Sequence, residues 1–240
     1  MKIIAITQKG LNKSENEDRV VVGKSIIAGG TFLAEVEDGI IAVADGVGGH
    51  NAGAVASHFV ANNICGLKEV SFEQMEQLND DLVEVSKTHA EHKGMATTLS
   101  GVCMSNEKTQ LFSVGNTRVY LLQSRKYLKQ LTTDDTTLNY LLATGQLSPE
   151  EAENFDRKNE ITACFGGGNP EFFRIKISNI EPLVAPFMLT TDGIHDYLSV
   201  DEMEDLIEAH GLTEICCSEL IKAARSKGSV DDASVVFGGI

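Results

Sequence analysis

The chain is poor in cations, in proline and in long apolar runs, and each shortage removes a class of function. Lys and Arg number 20 against 35 Asp and Glu, a formal charge of −15 at pH 7. A field of that sign repels a phosphate backbone, which argues against a nucleic-acid partner. The longest apolar run, residues 39–44, falls far short of the ~20 residues a membrane helix needs, which argues against membrane insertion. The apolar stretch Ile3–Ile6 is too short for a secretory leader and reads as a strand, so the expected compartment is cytoplasmic. With four prolines, no repeat and no low-complexity tract, no linker is visible in the 240 residues. One domain spanning 1–240 is the expectation.

Several catalytic motifs are missing too. None of the five cysteines forms a C-x-x-C pair, which argues against a zinc site. None is followed by arginine six positions on, so the C-x5-R loop of cysteine phosphatases is absent. G-x-x-x-x-G-K-[ST] does not occur, Gly46-x-Gly48 is followed by Asn51 where the dinucleotide fingerprint needs glycine, and no G-x-S-x-G elbow appears.

What is present is a succession of short β-rich runs broken by turn residues. Strands are expected over 2–7, 19–22, 31–36, 39–44, 97–104, 109–114, 117–123, 127–131, 172–177, 186–190 and 233–237. Apolar residues at helical spacing predict helices over 52–65, 72–90, 135–143, 199–209 and 213–226, with a further start at Ser148-Pro149. Ser71 with Gln74, and Ser199 with Glu202, have the spacing of capping boxes. Consecutive strands rather than alternating strands and helices point to an α+β fold of antiparallel sheets.

Carboxylates recur where these strands end. The run Ile40–Ala44 stops at Asp45-Gly46, and Phe187–Thr191 stops at Asp192-Gly193. Asp231-Asp232 precedes the last strand, and Asn16-Glu17-Asp18 precedes the second. A carboxylate at the edge of a core is costly unless paired, and no Lys or Arg lies within three residues of Asp45. A hard divalent cation removes the mutual repulsion and prefers oxygen ligands. Glycine after each aspartate lets the backbone turn sharply and lets a carbonyl or water come close. The competing reading is that each Asp-Gly is a turn signal and nothing more.

Taken in order, these segments resemble the metal-dependent Ser/Thr protein phosphatases of type 2C, the PPM family, in their compact bacterial form. Asn16-Glu17-Asp18-Arg19, Asp45-Gly46-Val47-Gly48-Gly49-His50, Met95-Ala96-Thr97-Thr98, Val114–Tyr120, Leu131–Asp135, Leu189–Gly193 and Asp231–Ser234 each match a motif of that family. The resemblance implies a four-layer α-β-β-α sandwich and a centre of two Mn²⁺ or Mg²⁺ ions. By position, Asp45 would bridge the ions, the Gly46 carbonyl would bind one, and Asp192 and Asp231 would hold the other. Glu17 and Asp18 would act through waters, and Asp232, where the family usually has asparagine, would act behind the ligands. Residues 139–170 would form a mobile flap. The implied reaction is hydrolysis of phosphoserine and phosphothreonine in proteins by a metal-activated water, with no phospho-enzyme. Phosphorylated proteins, including products of a bacterial Ser/Thr kinase, are the implied partners.

Three positions depart from the family pattern. Lys13 stands where a phosphate-binding arginine is usual, and an ammonium supplies charge without a bidentate fork. Asn116 replaces an aspartate that helps hold a third ion, which puts that ion in doubt. Val47 replaces a histidine of animal members, as is common in bacterial ones. His50 and His195 lie near the inferred site without an assigned role, and a zinc pair at His89 and His92 is not expected. Two alternatives stay open: a weakly active or inactive relative that binds phosphoproteins as a regulator, and a structural protein whose Asp-Gly turns are incidental.

Overall fold

The computed structural model describes all residues except 49–51, 89, 106–107, 153, 182–184 and 240. The chain begins with β1 (Lys2–Gln8), β2 (Asp18–Val22), β3 (Ser25–Ile27), β4 (Gly30–Glu35) and β5 (Gly39–Val47). Then come α1 (Ala52–Ile64), α2 (Phe72–Thr88), β6 (Ala96–Thr97), β7 (Leu99–Met104), β8 (Thr109–Val114), β9 (Arg118–Gln123) and β10 (Tyr127–Gln130). α3 (Thr137–Ala143) and α4 (Pro149–Ala152) lead to β11 (Phe165–Gly166), β12 (Lys176–Ile180) and β13 (Phe187–Thr190). The last elements are α5 (Asp192–His195), α6 (Val200–His210), α7 (Glu214–Ser226) and β14 (Ala233–Gly238).

Two sheets form. One has the order β10-β9-β13-β14-β1-β4; the other runs β11-β6-β5-β7-β8-β12, with β2 on the free side of β5 and β3 beyond β2. All pairings are antiparallel, as consecutive short strands suggest. Three apolar cores separate four layers. Ile3, Val20, Val43, Val102, Leu189 and Val236 fill the space between the sheets. Ile40, Val60, Ile64, Leu82 and Phe112 pack α1 and α2 on one outer face. Tyr120, Met188, Met203, Leu220 and Phe237 pack α6 and α7 on the other. The expected α-β-β-α sandwich is present.

Both sequence-read capping boxes form. Ser71 and Gln74 exchange side-chain-to-backbone bonds of 3.1 and 3.2 Å, and Ser199 and Glu202 do the same at 3.0 and 3.3 Å. The helix read over 72–90 ends at Thr88, and His92 lies in a separate 3₁₀ turn; His89 and His50 lie outside the described residues. β3 and α5 went unread because three or four residues are too few for a period to show. The strand read over 172–177 runs instead over Lys176–Ile180. Its partner β8 pairs from Thr109 to Ser113 with Ile180 to Lys176, and Gly115 turns away at φ 94° just beyond. Phe172 is already committed elsewhere, its carbonyl to the Cys164 N–H.

The cysteines are free. Four are buried and Cys65 is half-buried. Burial pushes the Cys103 and Cys164 thiols up to about 11, so they stay protonated. Among the described residues no helix is long and apolar enough to cross a membrane.

The sheet that carries Asp45 depends on one close approach. Gly101 of β7 lies opposite Ala42 of β5, and a Cβ there would sit 2.5 Å from the Ile41 carbonyl oxygen and 2.6 Å from the Ala42 Cβ. Gly101→Val should lower stability by roughly 1–3 kcal/mol through overpacking. Urea denaturation checks this; an unchanged midpoint would mean that β5 and β7 do not approach so closely.

Candidate active site

Register brings the first two acids together. In the β2–β5 pair, Asp18 lies directly opposite Asp45. Like charges so placed repel, and no lysine or arginine separates them. β13 ends at Thr190, and Asp192 opens α5 two residues later. β14 pairs with both β13 and β1, which returns Asp231 and Asp232 to the same end of the sandwich.

The backbone around each acid is tied down. The Asp45 N–H donates to Thr98 Oγ1 (3.1 Å), while Thr97 Oγ1 (2.9 Å) and the Thr98 N–H (2.9 Å) donate to its carbonyl. Asp18 is fully buried, and its Oδ2 accepts from Thr191 Oγ1 (2.8 Å) and Ser234 Oγ (2.7 Å). Asp192 Oδ2 accepts from Asn116 Nδ2 at 3.1 Å. Asp232 receives the N–H groups of Gly10 (2.7 Å) and Glu17 (2.8 Å). Lys13 Nζ lies 3.0 Å from Glu17, 2.6 Å from Asp231 and 3.1 Å from Asp232.

The electrostatics reflect this crowding. Burial, then the charges of Asp192, Asp18 and Asp231, holds the Asp45 carboxyl well above the usual range. Burial and then Asp231 raise Asp192. Burial pushes Asp18 up to about 8 despite the two hydroxyls on its Oδ2. Burial alone would lower Lys13, but its bonds to Asp231 and Glu17 override that and raise it. His195 is buried, with Nδ1 2.7 Å from Thr190 Oγ1. Burial and then Arg118 hold it well below its ordinary value, hence neutral.

The residues present fit divalent cations on three counts. Asp18 Oδ1 and Asp192 Oδ1 are buried without a hydrogen-bond partner, a costly state for a carboxylate oxygen. A Cβ on Gly53 would lie 2.6 Å from the Gly46 carbonyl oxygen and 2.8 Å from Glu17 Oε1, so glycine there keeps both oxygens uncovered. The donors are all hard oxygens. Among the described residues no three His, Cys, Asp or Glu side chains are disposed to hold one ion by themselves. The fit is therefore to ions held by one or two carboxylates, a carbonyl and waters, the habit of Mg²⁺.

The sequence-predicted residues thus meet at one end of the sandwich: Asp45 with Asp192, Asn116 on Asp192, Asp18 across from Asp45, and Glu17, Asp231 and Asp232 around Lys13. Sequence reasoning missed the hydroxyls. Thr98, Thr191 and Ser234 hold Asp45 and Asp18 in place, and the available signal was their position within or next to the acidic motifs. It also missed the Arg118–Asp134 pair (2.7 Å), which sits beside the Tyr120 hydroxyl.

Comparison with known proteins agrees with this geometry. The family profile described as Protein phosphatase 2C matches residues 30–214. A protein named serine/threonine phosphatase stp, from Listeria monocytogenes serotype 4b, is 30% identical over 96% of this chain and 92% of its own. The crystal structure of the Mycobacterium tuberculosis serine/threonine phosphatase PstP/Ppp superposes with a TM-score of 0.80 at 24% identity, over 99% of this chain and 98% of its own. A structure of the catalytic domain of PstP in complex with two manganese ions superposes at 0.73 and 25% identity, over 99% and 98%. By the length of the profile match and the full-length likeness to its relatives, this chain belongs to the protein phosphatase 2C family.

Proposed function

We propose that the chain is a cation-dependent protein phosphatase that hydrolyses phosphoserine and phosphothreonine esters in cytoplasmic phosphoproteins, including products of a bacterial Ser/Thr kinase, with residues 1–240 acting as one domain. The observation that carries this reading is the pairing of Asp18 directly opposite Asp45, with Asp18 Oδ1 and Asp192 Oδ1 both left unmatched, in a fold whose relatives are named serine/threonine phosphatases. Asp45, the Gly46 carbonyl, Asp192 and Asp231 are the groups that would hold two Mn²⁺ or Mg²⁺ ions. Such a pair supplies, when bound, charge neutralisation for the phosphoryl oxygens and a lowered pKa for a coordinated water.

The protein's own groups do the rest. Asn116 ties down Asp192 through Oδ2 and leaves Oδ1 available to an ion. Thr191 and Ser234 hold Asp18 by one oxygen in the same way. Asp232 anchors the backbone of Glu17 and Gly10, which fixes where Glu17 can orient water. Lys13, held by Glu17, Asp231 and Asp232, is the ammonium placed to meet the phosphoryl group as a point charge. The buried thiols are protonated and take no part. A flap role is supported only for the part of 139–170 that holds α3 and α4, neither of which buries a residue; Ala163, Cys164 and Phe165 are buried and Phe165–Gly166 is β11 of the sheet, so the flap stops before them.

Two outcomes test this. With Mn²⁺ and a phosphothreonine peptide or p-nitrophenyl phosphate, the protein should release phosphate, and Asp45→Ala should lose at least about 100-fold in kcat while keeping its circular dichroism. Metal-independent release, or none at all, would reject the reading. The second outcome concerns pH. Asp18 keeps a proton in the folded state up to about 8, whereas the unfolded chain loses it near its ordinary ~4, so folding stability falls as pH rises between those values. His195, neutral when folded, works with the opposite sign only around and below its ordinary ~6.5. In chelator, Tm should therefore drop from about pH 7 to about pH 8. Added Mn²⁺ should flatten that slope and Asp18→Asn should lessen it, the raised Asp45 and Asp192 keeping the rest; a Tm that rises over the same interval in chelator would contradict it.

A further inference from the structure

Arg19 follows Asp18 in β2, so its side chain leaves the opposite face of the sheet, toward α1. That side chain is 10% exposed. Nη1 is spent on the backbone carbonyls of Asn16 (2.5 Å) and Asp18 (2.8 Å). Nε is buried and has no hydrogen-bond partner. The Glu15 carboxylate stands 3.9 Å from Nη2, beyond hydrogen-bond distance. The Nε–Nη2 edge, one of the forks with which a guanidinium grips a carboxylate or phosphate through two parallel bonds, thus makes no hydrogen bond and has only the long ion pair to Glu15.

Arg19 forms part of the wall of a groove of about 430 Å³, together with Glu15, Ala54, His58, Phe59 and Asn62. The groove starts beside the proposed phosphate centre. Gly53, the residue before Ala54, lies against Gly46 and Glu17 Oε1, and Ser57, the residue before His58, donates from Oγ to the Glu17 carbonyl at 2.6 Å. An extended peptide advances about 3.3 Å per residue, so a side chain a few positions from a phosphoresidue can enter it. In a chain of charge −15, a guanidinium next to the site whose one ion pair, to Glu15, is long and not hydrogen-bonded is complementary to acidic rather than basic flanking sequence.

We propose that this groove is a subsite for an anionic side chain, the carboxylate of Asp or Glu or a second phosphate, flanking the phosphorylated residue of the substrate. Arg19 grips the anion through its Nε–Nη2 edge, exposed His58 lines the entrance, and Glu15 is the competing occupant. The assignment rests on the phosphoprotein reading above and adds a sequence preference to it.

Steady-state kinetics on paired phosphothreonine peptides test it, one with Asp two to four positions from the phosphoresidue and one with Ala there. A single matched charge pair predicts a KM about five- to tenfold lower for the acidic peptide at equal kcat. A peptide carrying phosphoserine in place of that Asp should gain at least as much. His58→Glu should abolish the difference by raising KM for the acidic peptides alone, leaving p-nitrophenyl phosphate turnover unchanged. Glu15→Gln should widen the difference. Equal KM values in the unaltered protein, or a preference that survives His58→Glu, would overturn the subsite. Should no peptide be hydrolysed, the phosphatase reading fails by itself. Fluorescence anisotropy with the same labelled peptides then judges the groove, and equal binding of acidic and neutral peptides would overturn it.

Discussion

Mutual repulsion among carboxylates is the constraint on which this end of the molecule is built. Asp18 and Asp45 oppose each other across two strands, the charges of Asp192 and Asp231 act on Asp45, and Asp231 and Asp232 share Lys13. A protein does not hold such a set by chance, because each uncompensated buried charge is costly. The structure meets the cost locally with hydroxyls on Asp18, an amide on Asp192 and an ammonium among Glu17, Asp231 and Asp232. Two carboxylate oxygens still have nothing, and that residue of frustration is where chemistry is to be sought.

The sandwich exists to make this arrangement rigid. β2, β5, β13 and β14 are almost wholly buried, and alternate residues of theirs, Val20, Val43, Leu189 and Val236 among them, fill the core between the sheets. Because side chains alternate along a strand, a slip of one residue in the β2–β5 pair would send Asp18 to the helix side and Arg19 into the core. The same alternation that aims Asp18 inward aims Arg19 outward. One short strand therefore carries both a member of the acidic centre and the guanidinium of the neighbouring groove.

Much of this was legible before any coordinates. Long periodic segments such as α2 and α7, and β-rich runs such as β1 and β14, announce themselves by period and by their caps. The acids announce themselves because Asp45 and Asp192 each interrupt an apolar run. What stayed hidden has a common physical origin: it depends on partners distant in sequence. The limits of β12 are set by the length of β8, not by its own residues. The roles of Thr191 and Ser234 appear only when β13 and β14 bring them to Asp18, which is 173 and 216 residues away. Lys13 reads as a solitary cation in sequence, yet three carboxylates from two ends of the chain surround it.

Charge balance also bears on Asn116. Glu17, Asp18, Asp45, Asp192, Asp231 and Asp232 are six carboxylates, and Lys13 is the one ammonium among them, a formal sum of −5 when all are ionised. Two divalent cations would offset four of those charges, leaving a site whose residual charge is small enough to admit a phosphate ester. An aspartate at 116 would add one more negative charge beside Asp192 and call for a further cation; the asparagine instead donates a hydrogen bond to Asp192 Oδ2. On the proposed reading, the amide is thus suited to a centre balanced by two ions, because it supplies by hydrogen bonding the compensation that a third cation would supply by charge.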